Sequence, residues 1–300
     1  MNALILNAAG EQFQEILHAV SRAPLEKLSI TIHTRPLKAP PPLVWISEEF
    51  PGVTDLTIIP VFTLNDEVLR FLASSKHLSR LLFTPDFRAE KEGQFPTDIS
   101  LSNLNQLDNL SLKIGCSEVL LNWFLSSSWT PRLHTLALTK SHYYHKGCGP
   151  ITQLNLLLSL TRDTLEHLAI DIEYRNEPHD KDEHPDGLRK LRSFRVVIHD
   201  IEAVCDALET VDSSVDLERI EIQKVHWRSL QIMFHTEVHC PKDKPWLRLN
   251  RLMKQAKFRQ MKVLDIHVPP SYGDEQLSMI RDYLMDCDSK EILGLQFLPD

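Results

Sequence analysis

One spacing recurs along the chain: an apolar residue, two variable ones, an apolar residue, one variable residue, and a third apolar residue. It reads Leu25-Leu28-Ile30, Val53-Leu56-Ile58, Leu78-Leu81-Phe83, Leu107-Leu110-Leu112 and Leu133-Leu136-Leu138. It continues as Leu165-Leu168-Ile170, Leu191-Phe194-Val196, Leu217-Ile220-Ile222, Met261-Leu264-Ile266 and Ile292-Leu295-Phe297. Successive repeats begin 28, 25, 29, 26, 32, 26, 26, 44 and 31 residues apart. Apolar residues are common enough that a single match carries little weight, but ten in near-regular order constitute a repeat. The last two apolar positions alternate with variable ones, which is the period of a strand with one buried face. No repeat of this size can bury that face alone, so neighbouring repeats must stack.

Helical periodicity fills the intervals. In NDEVLRFLASS, Val68, Leu69 and Leu72 share a face, with Asn65 or Asp66 placed to cap. SEVLLNWFLSSS follows with Ser117 at its start, and DIEAVCDALETV with Asp200. GDEQLSMIRDYLMDCD sets Leu277, Ile280 and Leu284 on one face. A strand and then a helix every 25–30 residues or so predicts an α/β leucine-rich-repeat solenoid, a curved parallel sheet with outer helices. About ten irregular repeats would form a single domain over 1–300, with residues 1–24 supplying the first helix and 289–300 the last strand.

Repeats such as LEKLSITI, LDNLSLKI, PRLHTLALTK and DTLEHLAIDI, with their irregular lengths, resemble the leucine-rich-repeat region of the F-box proteins that fungi, especially mushrooms, carry in large numbers. The resemblance covers most of the chain. It implies a non-catalytic scaffold that recognises a protein partner through its concave strand face, as the substrate-recognition part of such proteins does. Two departures bear on this. Where the common LxxLxLxxN form has Asn, this chain has residues such as His33, Asp86, Gly115, Ser141 and Glu173, so no Asn ladder is expected. No Leu-Pro-x-Glu-Leu-type F-box precedes the first repeat, and the ubiquitin-ligase adaptor role implied by the family holds only with an F-box elsewhere.

Composition sets the broader class. Hydrophobic residues at 42% and charged residues at 25% are ordinary for a globular protein. Five cysteines, odd in number and without a CxxC pair, point to reduced thiols in the cytoplasm or nucleus. MNALILNAAGEQF lacks a basic leading region, and the apolar run ITQLNLLLSL is interrupted and too short to span a bilayer, so no membrane partner is expected. The formal charge of −8 argues against nucleic acid as a general partner.

Several stretches imitate chemical sites. SHYYHKGC sets His142, His145 and Cys148 three apart, yet a structural zinc site wants four ligands and no fourth is adjacent. The turn signal Gly147-Cys148-Gly149-Pro150 makes this a strand-to-helix loop. HTEVHC places His235 and His239 one helical turn apart, the basis for a third reading as a zinc enzyme. Against it, Thr236 occupies the place where HExxH needs Glu, and no PCxxC follows. Asp180 and Asp182 begin a calcium-like series that His184 interrupts. No Gly-rich phosphate loop, GxSxG element or marked triad occurs, so neither catalysis nor a metal or cofactor is expected.

Residues 224–260 form an insert between the eighth and ninth repeats. Over 224–262 ten Lys or Arg stand against Glu237 and Asp243, a net of +8 in a chain of −8. In PWLRLNRLMKQAKFRQ, Trp246, Leu249, Met253 and Ala256 make an apolar helix face, with Pro245 in the first turn and Arg248, Arg251 and Lys254 along another face. The insert supports a second reading, a binder of nucleic acid or an acidic partner. The first reading rests on variable strand positions, which would face the concave side. Asn109, Lys113, Thr135, Thr139, His167, Asp171, Arg195, Arg219 and Glu221 are the expected partner-binding residues, flanked in the same row by Lys27, Asp55, Arg80, Asp265 and His267. Polar and mixed in charge, this row suits a protein surface better than a phosphate backbone.

Overall fold

Strands form where the repeat alternates, and burial follows the alternation residue by residue. Leu81 and Phe83 are fully buried, whereas Arg80 between the repeats' apolar columns is exposed and Leu82 half-buried. The computed structural model describes residues 3–7, 26–31, 51–59, 70, 72–83, 102–114, 124–125, 129–140, 152–171, 187–197, 201–211, 215–223, 245–268 and 273–297. These form an α/β structure in two compact units, Met1–Thr161 and Arg162–Asp300. No helix among the described residues is long and apolar enough to cross a membrane.

The first unit contains β1 (Ala3–Asn7), β2 (Lys27–Thr31), β3 (Asp55–Ile59), β4 (Arg80–Phe83), β5 (Asn109–Ile114), β6 (Thr135–Lys140) and helix α1 (Thr152–Thr161). Each strand pairs in parallel with the next in sequence. The register stacks equivalent repeat positions: Leu28, Leu56, Leu81, Leu110 and Leu136 make one column, and Ile30, Ile58, Phe83, Leu112 and Leu138 another. Leu78, Leu107 and Leu133, the leading apolar residues, are buried just ahead of their strands. Phe124 and Trp129 fill the space beneath, their rings 4.9 Å apart, and the Trp129 indole N–H donates to the Leu104 carbonyl at 3.1 Å.

A second set of bonds repeats with the same period. The carbonyl of the residue before each strand accepts two N–H groups from the next repeat. Glu26 O accepts from Thr54 and Asp55 at 2.9 and 3.1 Å, Thr54 O from Ser79 and Arg80, Ser79 O from Asp108 and Asn109, and Asp108 O from His134 and Thr135. These pairs bind one repeat to the next through the backbone, and the Thr54 and Ser79 hydroxyls add to two of them, donating to Glu26 O at 3.3 Å and Thr54 O at 3.1 Å.

The second unit contains β7 (His167–Asp171), β8 (Ser193–Val197), α2 (Ile201–Thr210), β9 (Arg219–Gln223), α3 (Pro245–Met253), β10 (Val263–Val268), α4 (Asp274–Tyr283), α5 (Met285–Ser289) and β11 (Leu293–Phe297). Its strands are also parallel in sequence order, with columns Leu168, Phe194, Ile220, Leu264, Leu293 and Ile170, Val196, Ile222, Ile266, Leu295. The carbonyl pairs recur at Glu166, Arg192 and Glu218. Helix α2 buries Ile201, Val204, Cys205 and Leu208, a single stripe.

Three sequence expectations need correction. Residues 1–24 were assigned to a first helix, but Ala3–Asn7 is a strand with Leu4 opposite Leu28. Met1-Leu4-Leu6 is itself a copy of the repeat, 24 residues ahead of Leu25, and its alternation suits a strand. In the last repeat Leu264 lies opposite Leu293 rather than Leu295, two residues from the expected alignment. A slip of two keeps every side chain on its own face, so apolar spacing could not distinguish the alternatives. Helix α3 ends at Met253, and Ala256 opens an exposed 3-10 turn whose buried residue is Phe258.

Candidate interaction site on the open sheet face

The alternation that buries the leucine columns presents the intervening residues on the opposite face. In β4, β5 and β6 the register aligns Arg80 with Asn109 and Thr135, then Leu82 with Ser111 and Ala137. Ser111 and Ala137 are short, so the surface sinks between the flanking side chains. The result is a shallow depression of about 360 Å³, open to solvent, with Leu82, Ser111 and Ala137 in its floor and Arg80, Asn109 and Thr135 along one rim.

Arg80, the charged side chain lining the depression, is paired. The Arg80 guanidinium lies 3.5 Å from the Asp55 carboxylate. Asp108 accepts from the Asn109 side-chain amide at 3.0 Å and through its other oxygen contacts His134 Nδ1. The half-exposed Arg80–Asp55 pair contributes about 0–1 kcal/mol, so its main effect is to neutralise the guanidinium on the rim.

The open face of the second unit is built differently. Glu221 accepts from the Gln223 side-chain amide at 2.5 Å and lies 3.4 Å from Arg195 Nε and 3.6 Å from His267 Nε2. Arg219 Nη2 donates to Asp265 Oδ2 at 2.6 Å. Asp265 is buried, and its carboxylate occupies the space above Gly294. Arg195 and Glu221, expected as partner contacts, thus pair with each other, and Arg219, expected likewise, pairs with Asp265.

The other expected contacts separate into groups. Asn109 and Thr135 flank the depression. His167 is exposed opposite Ser193. Lys113 is registered with Thr139, and Asp171 with Val197. Leu82, Ser111 and Ala137 line the depression but lie outside the expected set. The signal was nonetheless present in LSL and LAL, where a small residue separates two core leucines.

The described part of the basic insert is docked. Trp246, Leu249, Leu252 and Met253 bury one side of α3. Arg248 Nη2 is 2.7 Å from both Asp206 Oδ1 and Glu209 Oε2, and its Nε donates to Glu209 Oε1 at 3.0 Å. Lys257 Nζ donates to the carbonyls of Leu208, Glu209 and Val211 at 2.8, 3.0 and 3.0 Å, capping the end of α2. Lys254 Nζ lies 2.8 Å from Asp286 Oδ2, and Asn250 donates to the same oxygen at 2.6 Å. Those two donors, the lysine first, hold the Asp286 carboxyl below its ordinary pKa. Lys262 does the same for Glu218 from 2.7 Å. Arg248 and Lys254, assigned above to one face, therefore reach different acids because six residues carry them well around the helix.

His142, His145 and Cys148, the pair His235 and His239, and the acidic residues Asp180 and Asp182 lie outside the described residues. Among the described residues no group of three or more His, Cys, Asp or Glu side chains could hold a metal ion. The two described cysteines, Cys205 and Cys287, are free and buried. Neither a protein-family model nor a curated protein matches the chain.

Proposed function

We propose that the chain is a non-catalytic leucine-rich-repeat scaffold that binds a protein partner through the concave face of its strands. This is the role of the substrate-recognition part of F-box proteins with such repeats, and a place in a ubiquitin ligase would require an F-box elsewhere. The observation that carries the reading is the register. Equivalent positions of successive repeats stack strand upon strand within each unit, leaving the variable positions as a continuous face. A surface assembled from many strands, polar and mixed in charge with an apolar patch over β4, β5 and β6, accords with a protein interface. Reduced, buried thiols at Cys205 and Cys287 accord with a cytoplasmic or nuclear protein. The reading of the insert as a nucleic-acid binder is disfavoured by the engagement of Arg248, Lys254, Lys257 and Lys262 with acids and carbonyls of the same unit.

A comparative pull-down tests the proposal. Wild-type chain, a variant with Asn109→Lys and Thr135→Lys, and a control with Arg281→Gln on α4 are used as baits in extracts of the source cells. A partner captured by wild type and control but lost from the double variant supports binding through the strand face. Partners retained equally by all three baits would sink it, as would capture that vanishes on nuclease treatment.

A further inference from the structure

We infer that the depression over β4, β5 and β6 seats one uncharged, aliphatic side chain of an extended peptide segment lying across those strands. This inference rests on the protein-binding reading above and deepens it. The floor of Leu82, Ser111 and Ala137 offers apolar surface made accessible by two short side chains. Arg80, the charged side chain of the lining, already has Asp55 as its opposite partner, so its guanidinium offers little to a charged ligand. Desolvating a charge against this floor would go uncompensated.

The rim adds directionality. Asn109 donates one side-chain N–H to Asp108, and its amide lines the depression with the hydroxyl-bearing side chains of Ser111 and Thr135. The two hydroxyls have no hydrogen-bond partner among the described residues. Neutral acceptors and hydroxyls match the N–H and C=O groups of a peptide backbone. Three adjacent strands span about 10 Å, the length of about three extended residues. A free small molecule is the poorer occupant, because small-ligand sites bury about 70–90% of their ligand whereas this surface covers one side only. The centre of an interface is where a single inserted side chain contributes most.

Panning a displayed library of random dodecapeptides against the full chain tests this. Enriched sequences should share one Leu, Ile, Val or Met at a fixed place, flanked by uncharged residues. A synthetic peptide of that sequence, followed by fluorescence anisotropy, should bind about tenfold or more weakly to Ser111→Trp and Ala137→Trp, which fill the depression. Thr135→Arg at the rim, which leaves the core untouched, should weaken it in the same direction should either tryptophan variant fail to fold. Arg281→Gln on α4 should change affinity by less than about twofold, since it lies outside the strands. Failure to enrich any peptide overturns the inference. So does a peptide bound equally by the three depression variants, or enrichment of acidic peptides alone; either outcome leaves protein binding by the scaffold standing. Loss of that broader reading is diagnosed separately, by partners indifferent to the strand face in the pull-down.

Discussion

The carboxylate of Asp265 lies over Gly294, its register partner on β11, leaving no space for a Cβ. Arg219 holds that carboxylate in place at 2.6 Å. A methyl group at 294 must therefore push Asp265 off its partner. Gly294→Ala should lower stability by about 1 kcal/mol, the scale of one charged hydrogen bond that is half-exposed. In an Asp265→Ala background the same change should instead raise stability by about 0.5 kcal/mol, because alanine loses less backbone entropy than glycine. Urea midpoints of the four proteins complete the cycle, and additive effects would show that the two residues do not interact.

Leu110 and Leu136 are register partners in the buried column, 1% and 0% exposed. Truncating either to Ala should cost about 2–5 kcal/mol through lost burial and a residual cavity. Leu110→Asp or Leu136→Asp should cost more, since the carboxyl enters a core without a partner. Ser111→Asp, one residue along on the opposite face, should leave the thermal midpoint nearly unchanged. Equal losses at 110 and 111 would mean that the face assignment is wrong.

Arg248 and Lys257 tie the basic segment to α2 by different means. Arg248→Glu sets a third acid beside Asp206 and Glu209 and should cost about 1–2 kcal/mol at low salt, less near 1 M salt where such charges are screened. Lys257→Met leaves the carbonyls of Leu208, Glu209 and Val211 without their cap and should cost about 1–2 kcal/mol with weaker salt dependence. Denaturant curves at two ionic strengths separate the two. A fully stable Arg248→Glu, Arg251→Glu, Lys254→Glu triple variant that loses one partner would restore the basic segment as a binding surface.

Burial pushes the Cys205 thiol up to about 12 and the Cys287 thiol up to about 11, from 9.0. Burial penalises the thiolate, so above pH 9 the unfolded chain releases protons that the folded chain retains. Each thiol thus leaves stability unaffected below pH 9 and lowers it progressively as pH rises toward its folded value. Between pH 8.5 and 10.5 the wild-type urea midpoint should fall more steeply than that of a Cys205→Ala, Cys287→Ala variant. Parallel slopes would indicate accessible thiols at these two positions, as would rapid labelling of Cys205 or Cys287 in the native protein at pH 8, located by peptide mass spectrometry.

Much of the fold was legible because repetition amplifies a weak local signal. The apolar spacing placed the two buried columns at Leu28–Leu136 and Leu168–Leu264 and assigned parallel strands in sequence order, since stacked copies of one pattern have only that neighbour on which to bury a face. The same spacing could not decide the last register, where Leu293 and Leu295 are equivalent by parity and pairing against Leu264 chose between them. Nor could it show that Arg195 pairs with Glu221 with His267 beside them, far apart in sequence, or that Arg248 and Lys257 grip α2. Those contacts span 26 to 49 residues and depend on side-chain reach across strands and helices. The depression is likewise tertiary: Ser111 and Ala137 are unremarked small residues in sequence, and only registry beside Leu82 turns two missing side chains into one surface. Sequence determined which residues turn inward, because hydrophobic burial reads composition and period; tertiary structure decided what the outward residues do, because hydrogen bonds and ion pairs require a particular partner at a particular distance.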